Sequence, residues 1–343
     1  MAGIAALTLA GCQNDGGGEA GGGSRDQIRA VGSSTVYPFT TAVAEQFARK
    51  NPTFKAPIVE STGTGAGMKL FCAGVGAQFP DIENASRRIK KSEMEDCAKH
   101  GVTQIVEVQI GIDGIAMAES KAGPGMKLTP ADIYKALAAE PYGKPQAAKT
   151  WKDVNPALPA TAIKVLGPPP TSGTRDAFAE LILDKGCNAD PAMAALKKTD
   201  SDRHKAICTK VREDGAYVES GENDNLIVQK LVASPDAVGI FGYSFLEENA
   251  DRVRGLAVNG VAPTYETIAD YTYPGARPLY IYVKGAHLNA IPGLKQFVAE
   301  YASAWNPDGY LKRRGLIAAP ADIRAKNLAV ATTLTPFDPA QAE

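Results

Sequence analysis

Three times before residue 90, a short apolar run ends in a turn of serine, threonine or glycine and leads into a segment with helical spacing. The first links residues 27–32 through Ser33-Ser34-Thr35 to residues 39–49, where Phe39, Val43 and Phe47 recur every four positions. The second runs from Pro57-Ile58-Val59-Glu60-Ser61 through Thr62-Gly63-Thr64-Gly65-Ala66-Gly67 into a helix expected to begin at Met68. The third joins a strand over 81–86 through Arg87-Arg88 to a helix over 91–100. Strands alternating with helices argue for an α/β sheet. Polar turns at the carboxyl ends of such strands are where open α/β sheets hold ligands.

The same pattern returns at Gly167-Pro168-Pro169-Pro170-Thr171-Ser172-Gly173-Thr174-Arg175. Three prolines fix φ and withhold N–H donors, which ends a strand. Ser172 and Thr174 then stand where the apolar spacing of residues 177–183 starts a helix. A helix N-terminus carries unpaired N–H groups and about half a positive charge, so it suits a phosphate or sulfate group. Arg175 sharpens the point, because a cation in the first turn opposes the helix dipole unless an anion sits there. An ordinary Ser/Thr cap beside a solvated arginine is the competing reading. A further polar turn, Gly221-Glu222-Asn223-Asp224-Asn225, enters another apolar helix.

At 343 residues the chain is long enough for two domains, each with its own core. Its net charge of -1 gives no general pull towards nucleic acid, so any anion preference must be local. Leu9-Ala10-Gly11-Cys12 looks like a bacterial lipobox, which would make Cys12 the lipid-bearing first residue of the mature protein, although a basic n-region is missing. The glycine-rich residues 14–24 would be its tether, so residues 1–24 lie outside the folded domains. Four further cysteines are an even number for an exported chain. Cys72 with Cys97 and Cys187 with Cys208 are the simplest pairs; other pairings, or free thiols, stay open. Neither pair has metal-site spacing, and no cofactor is called for. A phosphatase or serine hydrolase using Ser172 or Ser34 is disfavoured. The chain has three histidines, no Gly-x-Ser-x-Gly elbow and no His-Glu-x-x-His.

Gly32-Ser33-Ser34-Thr35-Val36-Tyr37-Pro38, the glycines of 63–67, residues 81–87, Ser172-Gly173-Thr174-Arg175 and residues 239–243 together carry a resemblance. From about Ile28 the chain resembles the phosphate-binding component of bacterial ABC phosphate importers, the PstS family of type II periplasmic binding proteins. The resemblance implies two α/β lobes joined by two hinge strands, with inorganic phosphate held in the cleft between them. Lobe I would take residues 25–112 plus 276–343, and lobe II residues 113–275. Ser34, Thr35, Thr64, Gly65, Ser86 and Arg87 would bind from lobe I, and Ser172, Gly173, Thr174 and Arg175 from lobe II. The implied partner is a membrane permease. The protein would be a monomer in the periplasm or at the cell surface, held to the membrane through Cys12.

Two departures from the family pattern bear on the ligand. Much of the family has an aspartate directly after the Ala-Ser of the third turn, accepting the phosphate proton, and an arginine four residues before the Ser-Gly-Thr serine. Here those positions are Arg87 and Pro168. The arginine has in effect moved to Arg87, to Arg175, or to both. The proton acceptor must come from elsewhere, and Asp224 is the expected source, with Glu60 or backbone carbonyls as alternatives. Sulfate, molybdate or a phosphonate are the other ligands to weigh. Arginine's planar fork matches phosphate oxygens, and each hydrogen bond to a charged group contributes ~1.5–3 kcal/mol.

Overall fold

Helices connect eleven strands among the described residues. These are β1 (Arg29–Gly32), β2 (Ile58–Ser61), β3 (Ile82–Ala85), β4 (Ile105–Ser120), β5 (Lys127–Leu128), β6 (Val165–Gly167), β7 (Tyr217–Glu219), β8 (Val238–Gly242), β9 (Val253–Gly255), β10 (Ala257–Val258) and β11 (Ala276–Lys284). The computed structural model describes residues 25–170, 172–220 and 224–342. Nine strands form one continuous sheet in the order β2-β1-β3-β11-β4-β8-β6-β7, with β9 also on β4, while β5 and β10 make a separate parallel pair.

The 16-residue β4 is the spine. It reads as a nearly unbroken apolar run because both its faces are covered. Residues 105–114 pair antiparallel with β11, and residues 115–119 pair with β8. The sheet therefore passes from one lobe to the other through β4, with β11 beside it.

Alternation along β11 builds the first lobe on two sides. Leu279, Ile281 and Val283 pack with Val106, Val108, Ile110, Phe47 and Phe297. Tyr280 and Tyr282 face the other way, towards Met68, Phe71, Cys72 and Cys97. The second lobe has its own core around Ile133, Tyr134, Trp151, Phe178 and Phe241, with Trp151 fully buried. Ile317 and Ala319 pack into this second core although they follow β11 in the chain.

The first three helices are α1 (Tyr37–Lys50), α2 (Thr64–Cys72) and α3 (Lys91–Lys99). α1 buries Phe39, Val43 and Phe47, as their spacing predicts. α2 begins at Thr64, four residues before the expected Met68. Its N-cap Gly63 has φ 77°, a left-handed conformation that glycine adopts without a Cβ clash. The glycine-rich turn is thus itself the first helical turn. Disulfides join Cys72 to Cys97, tying α2 to α3, and Cys187 to Cys208. They close separations of 25 and 21 residues. For loops of that size the chain-entropy stabilisation is about 3 kcal/mol each.

Candidate functional site

The first turn gives its three hydroxyls different partners. β1 ends at Gly32, where φ is 126° and a Cβ would stand 2.3 Å from the Asn84 carbonyl, so only glycine fits. Ser33 then turns inwards. Its N–H donates to Asn84 O at 2.7 Å, and its Oγ accepts from the N–H groups of Thr35 at 3.2 Å and Val36 at 3.4 Å. Ser33 thereby closes the turn that precedes α1, and the hydroxyl of Ser34 is left for other work. That hydroxyl donates to the carboxylate of Asp176 in the second lobe. Thr35 Oγ1 donates to Gly173 O at 3.1 Å. A Cβ on Gly173 would lie 2.8 Å from Ser34 O and from Thr35 Cα, so glycine is what lets the two lobes meet.

The second and third turns converge as well. Thr64 Oγ1 accepts from the Ser86 N–H at 3.2 Å and lies 3.1 Å from Ser86 Oγ. Gly65 next to it is exposed, with open space where a Cβ would be. Arg87 spreads its fork over Glu93 of α3, with contacts of 2.9 and 2.7 Å. Burial works against the Arg87 charge, but its hydrogen bonds and ion pair with Glu93 outweigh this and raise its pKa; Glu180 of the second lobe adds to the rise.

Ser172 and Arg175 are engaged within their own lobe. Ser172 Oγ accepts from the Thr174 N–H at 3.2 Å and so caps the helix Gly173–Phe178. The Arg175 guanidinium lies 4.5 Å from the centre of the Tyr217 ring and donates to Pro168 O at 3.2 Å. Tyr217 donates to the same carbonyl at 2.7 Å. Asp224 opens the helix Asp224–Ala233, but its side chain, like Cys12, lies outside the described residues.

Sequence reasoning missed the group that ties these parts together. Arg277 of β11 is 5% exposed. It donates to Asp113 Oδ2 at 3.2 Å, Glu180 Oε2 at 2.5 Å and Thr35 Oγ1 at 2.8 Å. Asp113 is its direct partner across β4 and β11. Burial raises the Asp113 pKa, and the charge and hydrogen bond of Arg277 pull against that rise. One guanidinium therefore touches both sheet strands that connect the lobes, the first-lobe turn and the second-lobe helix. The one available signal was a cation flanked by Ala276 and Pro278 in an otherwise apolar strand.

The lobes thus meet at hydroxyl and guanidinium donors, several of them covered by carboxylates. A family model described as the PBP superfamily domain matches residues 17–304. The chain belongs to the PBP superfamily.

Within the PBP superfamily, two relatives show which family this chain joins. Protein SphX of Synechococcus elongatus is 34% identical over 76% of this chain and 68% of that protein. The phosphate-binding protein PstS of Staphylococcus saprophyticus is 32% identical over 86% of this chain and 81% of that protein. The chain is a member of their family. Among solved structures, that of a possible phosphate binding protein from Planctomyces limnophilus matches with a TM-score of 0.70 at 29% identity, covering 89% of this chain and 98% of the other. An ABC-type phosphate transport receptor from Vibrio cholerae shares the fold with a TM-score of 0.58 at 22% identity, covering 85% and 99%.

Proposed function

We propose that this chain is an extracytoplasmic solute-binding protein that captures inorganic phosphate between its lobes and delivers it to the permease of an ABC importer. The observation that carries this reading is the meeting of Ser34 and Thr35 with Gly173 and Asp176 across the lobes. It supports a site that closes around a small anion, with the Thr64–Ser86 pair and Arg87 supplying further donors from lobe I, and Thr174 and Arg175 from lobe II. The phosphate-binding relatives and structures favour phosphate over the other oxyanions.

The protein binds without turnover. A serine hydrolase would need a histidine beside its nucleophile, and the three histidines are placed elsewhere. His100 contacts Asp96, His204 contacts Asn188, and His287 contacts Asp81 and Val75.

Phosphate near neutral pH keeps a proton that sulfate lacks, so a carboxylate acceptor separates the two. Asp176 stands at Ser34 and is the nearer candidate for that role; Asp224 is the other. The lobe limits belong to the same reading: residues 25–112 plus 276–343 against 113–275, with Ile317 and Ala319 reaching across. So do the monomeric state and attachment to the membrane through a lipid on Cys12. No helix among the described residues is long and apolar enough to cross a membrane. Phosphorus analysis of the protein as purified tests the reading. About one phosphorus per chain supports it. Protein that is free of phosphorus and takes up none on dialysis against phosphate overturns it.

A further inference from the structure

Glu83 is the most anomalous group in the first lobe. It lies on β3 beside β1, is fully buried, and neither carboxyl oxygen has a hydrogen-bond partner. A Cβ on Gly32 would stand 2.8 Å from both oxygens, and one on Gly67 would stand 2.3 Å from Oε2. Gly32 leads directly into Ser33-Ser34-Thr35, and Gly67 completes the first turn of α2 begun by Thr64. The carboxyl group therefore sits immediately behind both turns, and two glycines make room for it.

No neighbouring side chain neutralises it. Arg87 is held by Glu93. Tyr282, opposite Glu83 on β11, gives its hydroxyl to Glu107 at 2.8 Å. Arg29 on β1 turns to Gln78 O and Glu60, and Lys69 of α2 is exposed. A buried carboxylate without a partner is far costlier than the neutral acid. Burial accordingly pushes the Glu83 carboxyl well above the ordinary carboxylate range, and the charge of Glu93 pushes the same way, while that of Arg87 opposes.

We propose that Glu83 makes anion capture by this chain depend on pH. As a neutral acid it leaves the N-terminal turns of α1 and α2 free to attract an anion, and as a carboxylate it sets a negative charge behind those turns. Ionisation releases one proton to solvent and changes nothing covalent. Because the folded-state carboxyl is raised, its contribution to stability is complete below the unfolded value and is lost as pH rises through the folded value. Anion affinity falls in the same direction. The proposal rests on the phosphate-binding reading.

The test compares wild type with Glu83→Gln by calorimetric titration with phosphate at several pH values. Taking the ratio of the two proteins cancels the titration of phosphate itself. Affinities within about two-fold at pH 6, diverging to a ten-fold or greater advantage for Glu83→Gln at pH 9, support the proposal. A ratio that stays constant with pH overturns it. Carbon-13 NMR of wild type labelled at glutamate carboxyl carbons is the second measurement and needs no variant. One carboxyl carbon titrating well apart from the others is expected, and all glutamates titrating together would overturn the proposal. A wild type that binds no phosphate at any pH overturns the functional reading, an outcome distinct from a flat ratio.

Discussion

Arg277 donates to the Thr35 hydroxyl at 2.8 Å, linking β11 to a turn 242 residues earlier in the chain. Because Thr35 in turn donates to Gly173 O, one contact between the lobes is backed by a guanidinium that is 5% exposed. Asp113 and Glu180 supply the countercharges.

Arg277→Ala will leave Asp113, whose side chain is 16% exposed, as a carboxylate with no cation. Removing one partner of such a pair costs ~3–5 kcal/mol, so a large drop in denaturant midpoint is expected, together with weaker phosphate binding. Arg277→Lys keeps the charge but loses the three-way fork and will recover only part of both. Full stability in the alanine variant would show that the cluster does not hold the lobes.

Arg87→Ala will weaken phosphate binding by ten-fold or more, since losing a charged partner in a desolvated site costs ~2–5 kcal/mol. Arg175→Ala will cost less, because that guanidinium stacks on Tyr217, whereas Arg87 directly follows Ser86 in the turn that meets Thr64. Calorimetry on both variants ranks them. The reverse order would move the anion contact to Arg175.

Much of this was legible in the sequence. The strand–turn–helix repeats mark β1, β2 and β3 with their helices. The turns that carry Ser34, Thr64, Ser86 and Ser172 are also visible. Which hydroxyl in Ser33-Ser34-Thr35 closes the turn before α1 was not, because that depends on the backbone path after Gly32. Asp176 and Arg277 were missed for a different reason. Each acts on a residue far away in the chain, and no spacing rule connects Asp176 to Ser34 or Arg277 to Thr35. Glu83 reads as one more polar residue in a short strand until Gly32 and Gly67 are seen to close over it.

The disulfides will support the fold without touching the site. Replacing Cys72 and Cys97, or Cys187 and Cys208, by serine pairs is expected to cost about 3 kcal/mol in each case while leaving phosphate affinity within about two-fold. Chemical denaturation and calorimetry check the two halves. A large loss of affinity at full stability would contradict this separation.

Lys284 gives a second dependence on pH, of opposite sign to that of Glu83. It is fully buried, donates to Gly74 O at 2.5 Å and lies near the Phe71 and Phe79 rings. Burial lowers its pKa from 10.5 to about 8 despite the charge of Asp81. Between those values the unfolded chain binds more protons than the folded one, so this group's contribution to stability rises with pH, by on the order of 3 kcal/mol across the window. Lys284→Met will remove that rise, as denaturation at pH 7.5 and pH 10 will show. An unchanged difference between the two pH values would mean that Lys284 is not the source.

Selectivity separates the two carboxylate candidates. Asp176→Asn is expected to narrow the phosphate-to-sulfate affinity ratio by ten-fold or more, about 1.4 kcal/mol, and Asp224→Asn by less. Sulfate competition at fixed pH decides. Equal ratios in wild type and both variants would place the proton acceptor on another group.

Phosphate capture is measured by calorimetric titration of wild type, first stripped of bound ligand, with phosphate and then with sulfate at neutral pH. One phosphate per chain is expected, bound at micromolar affinity or tighter, which is about 8 kcal/mol or more, with sulfate at least ten-fold weaker. Sulfate binding as tight as phosphate, or no heat with either anion, would contradict it.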